Sequence, residues 1–361
     1  MRSSLSILGL LANFAVAYNC SVTAIAAPLP AKFIVFYATH YDAGATFTTP
    51  PEYNVGGSLP GDAPGGAPGT PPGGNISLSA TSQYSFGLAL PDNWNGRFLT
   101  VGNGGFSGSD SWDSVIDGMW YRFASVSTDT GHESGRAEWA YNHPEALENW
   151  GYRAMHDTVL KGIAVTQGYY GTNISYSYYR GCSAGGKQGL KEVEMFPNEF
   201  DGVAAGAPAW WITHLQLWNM IVGIWNQPAN CSHYIPPSMP TYLADGVISD
   251  QIATLNKLHS DWAEAGQFIF PSFTLGSEWG LNGLVSSPSP LGTTYVIYFY
   301  NQVAKALKPR GIKLDDFYKF YLVPGMGHCA MTYPKMNAPW VISGDGQAGG
   351  LTRTSHGVLG F

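Results

Sequence analysis

The sequence predicts an α/β fold with a mostly parallel sheet, and two observations carry this prediction. Between residues 84 and 207, short β-forming runs alternate with helical segments, which is the pattern of β-α-β units. Within this stretch a serine is flanked by glycines, in Gly181-Cys182-Ser183-Ala184-Gly185, with β-forming aromatics before it and helix formers after it. A serine in such a strand-to-helix turn is typical of a nucleophile elbow, so we expect an α/β-hydrolase fold.

The predicted elements begin with a short β-like run at residues 33–37. A Gly/Pro tract at residues 56–74 follows, which we expect to be an exposed loop. Alternating apolar residues between 84 and 90 predict a half-buried strand. Asn95-Gly96 then predicts a turn, and residues 98–101 predict the next strand.

A glycine-rich loop, Gly102-Asn103-Gly104-Gly105-Phe106-Ser107-Gly108, comes directly after that strand. Backbone N–H groups in such a loop can supply half of an oxyanion hole in α/β-hydrolases. An ordinary flexible loop is the alternative interpretation.

The residue patterns around Ser183 predict the helices and strands on either side of it. Residues 153–167 have helical spacing, residues 174–179 read as the strand before the serine, and residues 187–196 read as the helix after it. Residues 201–207 predict another buried strand. Four tryptophans then mark the start of an insertion that breaks the alternation: Trp210, Trp211, Trp218 and Trp225.

Beyond the tryptophans, no strong strand is predicted between residues 236 and 289, although residues 252–262 fit a helix. The alternation returns with a predicted helix at 295–307 and a predicted strand at 317–322.

The N-terminus has the features of a secretory signal. Arg2 supplies a positive charge, residues 5–17 form an apolar run, and Ala15-Val16-Ala17 fits a cleavage site, so residues 1–17 are the predicted signal peptide. A transmembrane anchor is the competing interpretation, but roughly 13 apolar residues are too few to span a bilayer. Cleavage after Ala24-Ile25-Ala26 is a second alternative, and it would remove Cys20.

Composition fits a secreted protein and excludes a nucleic-acid partner. Charged residues make up only 12% and aromatic residues 14% of the chain, and the net charge is -7, whereas phosphate backbones require a basic surface. Four sequons are candidate glycosylation sites, and they begin at Asn19, Asn75, Asn173 and Asn230.

His328 is the candidate catalytic base, because it follows the last predicted strand as the triad order Ser, acid, His requires. Ser183 and His328 each have a cysteine as neighbour, Cys182 and Cys329. If the serine and histidine meet, the two cysteines come within disulfide range. A bridge closing this loop of roughly 150 residues is worth about 5 kcal/mol in the loop-entropy treatment. Four cysteines nevertheless permit three pairings.

The chain resembles the tannase and feruloyl esterase family of secreted fungal serine esterases. The motifs that carry the resemblance are Val101-Gly102-Asn103-Gly104-Gly105-Phe106, Ser127-Thr128-Asp129-Thr130-Gly131-His132, Arg180-Gly181-Cys182-Ser183-Ala184-Gly185-Gly186, Phe200-Asp201-Gly202-Val203-Ala204-Ala205-Gly206-Ala207-Pro208-Ala209 and Pro324-Gly325-Met326-Gly327-His328-Cys329.

The resemblance implies Ser183 as nucleophile, His328 as general base and a Cys182–Cys329 disulfide. It also implies an oxyanion hole formed by the backbone of Ala184 and of the Gly104-Gly105 loop. The implied substrates are small phenolic esters or feruloylated plant polysaccharide, with no cofactor required for the chemistry and no membrane partner. The implied organisation is a hydrolase core at residues 18–209 and 290–361, with a reduced lid insertion at 210–289.

Two departures from the family pattern lie in or near the insertion. No aspartate occurs between Asp261 and Asp315, and Asn282 stands near the place where the family has its catalytic acid. Family members also bind a structural Ca²⁺ in the lid. Only Asp245 and the Val247 carbonyl match that loop here, whereas Ca²⁺ takes 6–8 oxygens, so an ordinary Asp-Gly turn is an equal alternative.

These departures leave two functional hypotheses. The first is a serine hydrolase that cleaves phenolic esters through an acyl-enzyme. The second is a catalytically impaired or non-catalytic paralogue that keeps the fold and binds phenolic esters or plant polysaccharide.

Overall fold

The computed structural model describes residues 19–36, 38–41, 46–48, 56–58, 66–67, 83–106, 108, 112–132, 138–235, 249–272 and 293–321. In this part of the chain the strands are β1 (Thr46–Thr48), β2 (Gly56–Ser58), β3 (Gly66–Ala67), β4 (Phe86–Pro91), β5 (Arg97–Val101), β6 (Ala124–Thr128), β7 (Tyr176–Cys182), β8 (Gly202–Gly206), β9 (Trp262–Glu264) and β10 (Gln267–Phe270).

Helices alternate with these strands. They are α1 (Val22–Ala26), α2 (Trp112–Trp120), α3 (Pro144–Glu148), α4 (Ala154–Tyr170), α5 (Ala184–Met195), α6 (Ile212–Trp225), α7 (Ser249–Leu258) and α8 (Thr293–Leu307). A π-helical turn, Asn149–Arg153, leads into α4.

The main sheet has the strand order β3-β4-β6-β5-β7-β8 in the described part of the chain. β6, β5, β7 and β8 run parallel to one another, whereas β4 pairs antiparallel with β6. The register places Leu99 of β5 opposite Ser125 of β6 and Tyr178 of β7. A mostly parallel α/β sheet was predicted, and it is confirmed.

Helices cover both faces of this sheet. A Cβ placed on Gly162 of α4 would lie 2.8 Å from the Phe98 ring, and a Cβ on Gly118 of α2 would lie 3.2 Å from Leu99. Because Phe98 and Leu99 are consecutive in β5, their side chains point to opposite faces. The helices α4 and α2 therefore lie on opposite sides, and the central strands β4 and β6 are buried throughout.

The region after β8 has a small core of its own. Its buried residues come from the loop after β8, from α6, from α7 and from β10, and they are Ala209, Leu215, Trp218, Val222, Leu258 and Phe270. Of the four tryptophans that marked this segment in the sequence, Trp210 and Trp225 pack against this core, whereas Trp211 is exposed. Trp218 is fully buried, with ring centres 5.6 Å from Trp225 and 5.9 Å from Phe270.

Two predictions near the N-terminus are wrong. Residues 33–36 form no strand; Phe33 and Val35 are buried instead by packing on the core, where the Phe33 ring lies 6.4 Å from that of Phe86. The Gly/Pro tract contains strands, because glycine backbones still pair: β2 with β1, and β3 with β4. The rest of that tract lies outside the described residues.

Burial also differs from expectation in two strands. β4 is buried on both faces rather than on one, because α2 and α4 contact it from opposite sides of the sheet. β8 is only half-buried, because it is the last strand of the sheet in the described part of the chain.

The elements of the insertion and of the C-terminal segment also differ from those predicted. β9 and β10 form a hairpin where no strand was predicted, since its turn, Ala265-Gly266, has positive φ at both residues without the usual Asn-Gly signal. Residues 317–321 form no strand. The rings of Tyr318 and Phe320 pack instead against Tyr300 of α8, at 5.4 and 5.5 Å.

The four predicted helices are confirmed: α4, α5, α7 and α8 lie close to their expected bounds. Within the described residues, no helix combines the length and the apolar character that crossing a bilayer needs.

Replacing Gly162 by alanine tests the contact between α4 and the sheet. The new methyl would press on the buried Phe98 ring, so we expect the free energy of unfolding to fall by about 1–3 kcal/mol. The matched control is Gly223→Ala in α6, where a Cβ meets nothing within 4 Å, and where alanine should raise stability by about 0.5–1 kcal/mol. Urea denaturation measures both, and equal effects would contradict this packing.

Candidate active site

The turn between β7 and α5 holds Ser183 in a strained conformation. Its φ is 59° and its ψ is −118°, values that non-glycine residues rarely adopt. Three backbone hydrogen bonds hold it there: the Ser183 N–H donates to Gly206 O at 3.0 Å, and the Ser183 carbonyl accepts from the N–H groups of Lys187 at 3.0 Å and Ala209 at 2.7 Å. This is the geometry that a nucleophile elbow requires.

Glycines allow three backbone segments to meet at this turn. A Cβ on Gly181 would lie 2.5 Å from the carbonyl carbon of Gly185, and a Cβ on Gly185 would lie 2.8 Å from the Asn103 carbonyl oxygen. A Cβ on Gly102 would lie 2.6 Å from the Gly185 Cα atom. Side chains at these positions are sterically excluded, so the glycine-rich loop after β5 packs directly on the elbow.

Paired amides tie the loop to the elbow helix. Gln188 of α5 accepts a hydrogen bond from the Asn103 N–H at 3.0 Å and donates from Nε2 to Asn103 Oδ1, also at 3.0 Å. Asn103 Nδ2 donates to the Thr128 carbonyl at the end of β6, at 2.7 Å. Both amide side chains are buried. The sequence contained the Asn103 motif but no sign of its partner.

The residues expected to form the oxyanion hole lie on these two segments. Ala184 is buried at the first position of α5, where backbone N–H groups lack intrahelical acceptors. Gly105 is exposed with φ of +58°, a conformation that glycine adopts without strain. Gly104 lies between Gly105 and the buried Asn103. Their role toward an oxyanion stays a prediction.

An aromatic cluster adjoins the loop and α5. The ring of Phe106 stacks on Trp150 with centres 5.5 Å apart, and Trp139 lies 5.9 Å from Trp150. Lys187 places its Nζ 3.3 Å from the centre of the Trp150 ring. Burial lowers the pKa of Lys187 to about 7, while the ring face favours the charged ammonium. The periodicity of the sequence did not reveal this cluster.

His132 positions the end of the loop. Its Nε2 lies 2.8 Å from the Phe106 carbonyl oxygen, and its ring stacks on Trp139 at 4.0 Å. Burial lowers the pKa of His132, which favours the neutral ring with Nε2–H donating to that carbonyl. The motif ending at His132 could have drawn attention to this residue, although it gave no role.

Several predicted site residues lie outside the described residues. They are His328, Cys329, Asp245, Val247, Asn75 and Asn282. The base, the calcium ligands and the replacement for the missing acid therefore stay predictions. Asn173 and Asn230 are exposed, as glycosylation requires, and their modification also stays a prediction.

Cys182 takes part in a disulfide, whereas Cys20 and Cys231 are free thiols. Cys20 is partly buried, with Sγ 3.1 Å from the Tyr169 hydroxyl, and Cys231 is exposed. The identity of the partner of Cys182 stays a prediction.

A strained serine between a parallel strand and a helix, faced by a glycine loop from the neighbouring strand, defines an α/β-hydrolase. Two solved structures share this fold over most of the chain. Feruloyl esterase B from Aspergillus oryzae matches with a TM-score of 0.74 and 21% identity, covering 83% of this chain and 81% of that one. Tannin acyl hydrolase from Aspergillus niger matches with a TM-score of 0.65 and 17% identity, covering 90% and 84%.

Sequence comparison finds similarity to one family over about half of the chain. The family model described as tannase and feruloyl esterase matches residues 76–250 of the chain. Probable feruloyl esterase B-1 of Neosartorya fischeri is 41% identical over 144 residues. The match covers 40% of this chain and 27% of that relative, so the chain aligns with about a quarter of the relative's length.

The amide pair between Asn103 and Gln188 can be tested by a double-mutant cycle. Gln188→Leu leaves a buried N–H and a buried side-chain oxygen of Asn103 without this partner, which should lower the free energy of unfolding by roughly 2–4 kcal/mol. Combined with Asn103→Ala, the loss should be clearly less than the sum of the single losses. Denaturation curves give the four stabilities. Additive losses would contradict the pairing.

Proposed function

We propose that the chain is a secreted serine carboxylic ester hydrolase that acts on phenolic esters, either small feruloyl or galloyl esters or feruloylated plant polysaccharide. The observation that carries the proposal is the backbone of Ser183, strained at φ 59° and packed against a glycine loop. The names of the relatives support the substrate class, since they are called feruloyl esterases and a tannin acyl hydrolase.

The reaction begins with attack of the Ser183 hydroxyl on the ester carbonyl. His328 takes the serine proton and returns it to the leaving alcohol, which yields an acyl-enzyme that water then hydrolyses with His328 again as base. The N–H groups of Ala184 and of the Gly104-Gly105 loop stabilise the oxyanion of each tetrahedral intermediate. No cofactor takes part in these steps.

The aromatic cluster beside the loop supports a phenolic acyl group. Phe106 directly follows Gly105, and its ring is part of the stack that includes Trp150 and Trp139. Offset stacking of aromatic rings contributes about 0.5–1.5 kcal/mol per pair beyond area burial. A feruloyl or galloyl ring near the oxyanion loop would find such partners, whereas a short aliphatic acyl chain would not.

Ser183→Ala should abolish hydrolysis of methyl ferulate and methyl gallate. Loss of the nucleophile removes the covalent route, so we expect kcat to fall by at least about 10³-fold while the fold is kept. Ser260→Ala, at an exposed position after α7, is the control and should retain the native rate. Rates are followed by release of free acid. Equal turnover by the two variants would rule out Ser183 as nucleophile.

A second candidate is a non-catalytic paralogue, favoured by the absence of any aspartate between Asp261 and Asp315. In a serine protease, replacing the supporting aspartate by asparagine lowers kcat about 10⁴-fold. This candidate predicts a native protein that binds methyl ferulate yet releases no acid above the Ser183→Ala background. Ser183-dependent turnover would exclude it.

We further propose secretion, with cleavage after Ala17 and a disulfide between Cys182 and Cys329. The proposed disulfide is supported by the free thiols of Cys20 and Cys231, since Cys182 is disulfide-bonded and the chain has four cysteines. Cleavage after Ala17 is supported by α1, because Ile25 is only 4% exposed and packs in the core. Cleavage after Ala26 would remove that contact.

Peptide mapping of the exported protein without reduction tests both statements. The expected products are one linked peptide pair containing Cys182 and Cys329, and an N-terminal peptide that starts at Tyr18. Reduction should separate the pair. A linked pair containing Cys20 or Cys231 would contradict the disulfide, and a chain starting at Ala27 would contradict the cleavage site.

A further inference from the structure

Three ionisable side chains converge where the elbow helix faces α4, near the end of the helix that is remote from Ser183. They are His156 of α4, Glu192 of α5 and Glu199 in the turn after α5. One donor atom from each lies within 4.8 Å of the others. His156 Nδ1 is 2.8 Å from Glu199 Oε1 and 3.8 Å from Glu192 Oε2. Glu192 is nine residues beyond Ser183, or roughly 13 Å along the helix, so this cluster is separate from the elbow.

Glu192 supplies an independent observation. Its side chain is only 1% exposed, yet neither carboxylate oxygen has a hydrogen-bond partner among the described residues. Both oxygens are buried, and the cluster that they face contains a second carboxylate, Glu199. A buried carboxyl group in such a place needs a positive charge or a proton to compensate it. Without a cation, burial and Glu199 raise the pKa of Glu192 to about 9, so a shared proton is the competing occupant.

The donor set has the composition of a zinc site. One imidazole nitrogen and two carboxylates are three ligands that Zn²⁺ accepts, and water completes a tetrahedron. Bonds of 2.0–2.2 Å place neighbouring donors of a zinc tetrahedron about 3.4 Å apart. The separations of 2.8 and 3.8 Å from His156 Nδ1 lie on either side of that value, and no two of the three donor atoms are more than 4.8 Å apart, so small movements of the side chains would accommodate the ion. Ca²⁺ fits less well, because it requires 6–8 oxygen ligands.

The surroundings orient the ligands and leave a route for the ion. The Phe196 ring stacks on His156 with centres 3.5 Å apart, which fixes the plane of the imidazole. The His156 side chain is 22% exposed and that of Glu199 14%, so the cluster is reached from solvent on one side and closed by Glu192 on the other.

We propose that His156, Glu192 and Glu199 form a binding site for one divalent transition-metal ion of the Zn²⁺ type. The ion would link α4, the elbow helix α5 and the turn that leads into β8. It takes no part in ester cleavage. The proposal is therefore independent of the proposed function, and its test does not use hydrolysis.

The test measures metal binding by the full chain. Protein treated with EDTA and dialysed is titrated with ZnCl₂ in a calorimeter at about pH 7, and the Co²⁺ form is examined by visible absorption. We expect one high-affinity equivalent in the native protein. Glu192→Gln should weaken it more than about 100-fold, since even the hydrogen-bond partners of metal ligands are worth 10–100-fold.

Glu194→Gln is the matched control on the same helix. Glu194 is 61% exposed and pairs with Lys191, so this variant should bind like the native protein. Glu199→Gln is a second test variant at a less buried position, and it covers the case in which Glu192→Gln folds poorly. Equal zinc affinity in the native protein and a folded ligand variant would overturn the proposal. Absence of binding by the folded native protein would also overturn it, and would favour the shared proton.

Discussion

The close approach of backbone at Gly102, Gly181 and Gly185 is the constraint on which the rest of the site depends. At each position a methyl group would lie within 3 Å of another backbone segment. The loop after β5 and the turn after β7 can therefore meet only where side chains are absent. Because of this contact, the proposed nucleophile and the proposed oxyanion donors lie on backbone segments that pack against each other. The strain at Ser183 is tolerated because three backbone hydrogen bonds compensate for it.

Much of this arrangement could be predicted from local sequence. The elbow follows from glycines at fixed offsets around a serine, and the parallel sheet follows from the alternation of β-forming and helical segments. The helix α4 was predictable from apolar residues at helical spacing, and α5 from its helix-forming residues. These features depend on residues close together in the chain, which is the information that a single sequence carries most directly.

The features that could not be predicted depend on contacts between residues that are distant in the chain. Phe33 is buried because Phe86 lies above it, not because residues 33–36 form a strand. Gly56–Ser58 forms a strand because its backbone pairs with β1. The low strand propensity of glycine gave no indication of this pairing. In the site, Gln188 meets Asn103 across 85 residues of chain. The pairing of two buried amides leaves no pattern in the sequence around either of them, and the same is true of His132 and Phe106.

The link between Asn103 and Gln188 has a consequence for the environments in which the site keeps its shape. Each group in that link is an amide, and amides do not gain or lose a proton over the pH range in which proteins stay folded. An ion pair at this place would weaken as its carboxylate became protonated in acid. The amide link between the glycine loop and the elbow helix is thus independent of acidity, whereas His132 and Lys187, which contact the loop and its aromatic neighbours, can change their charge with pH.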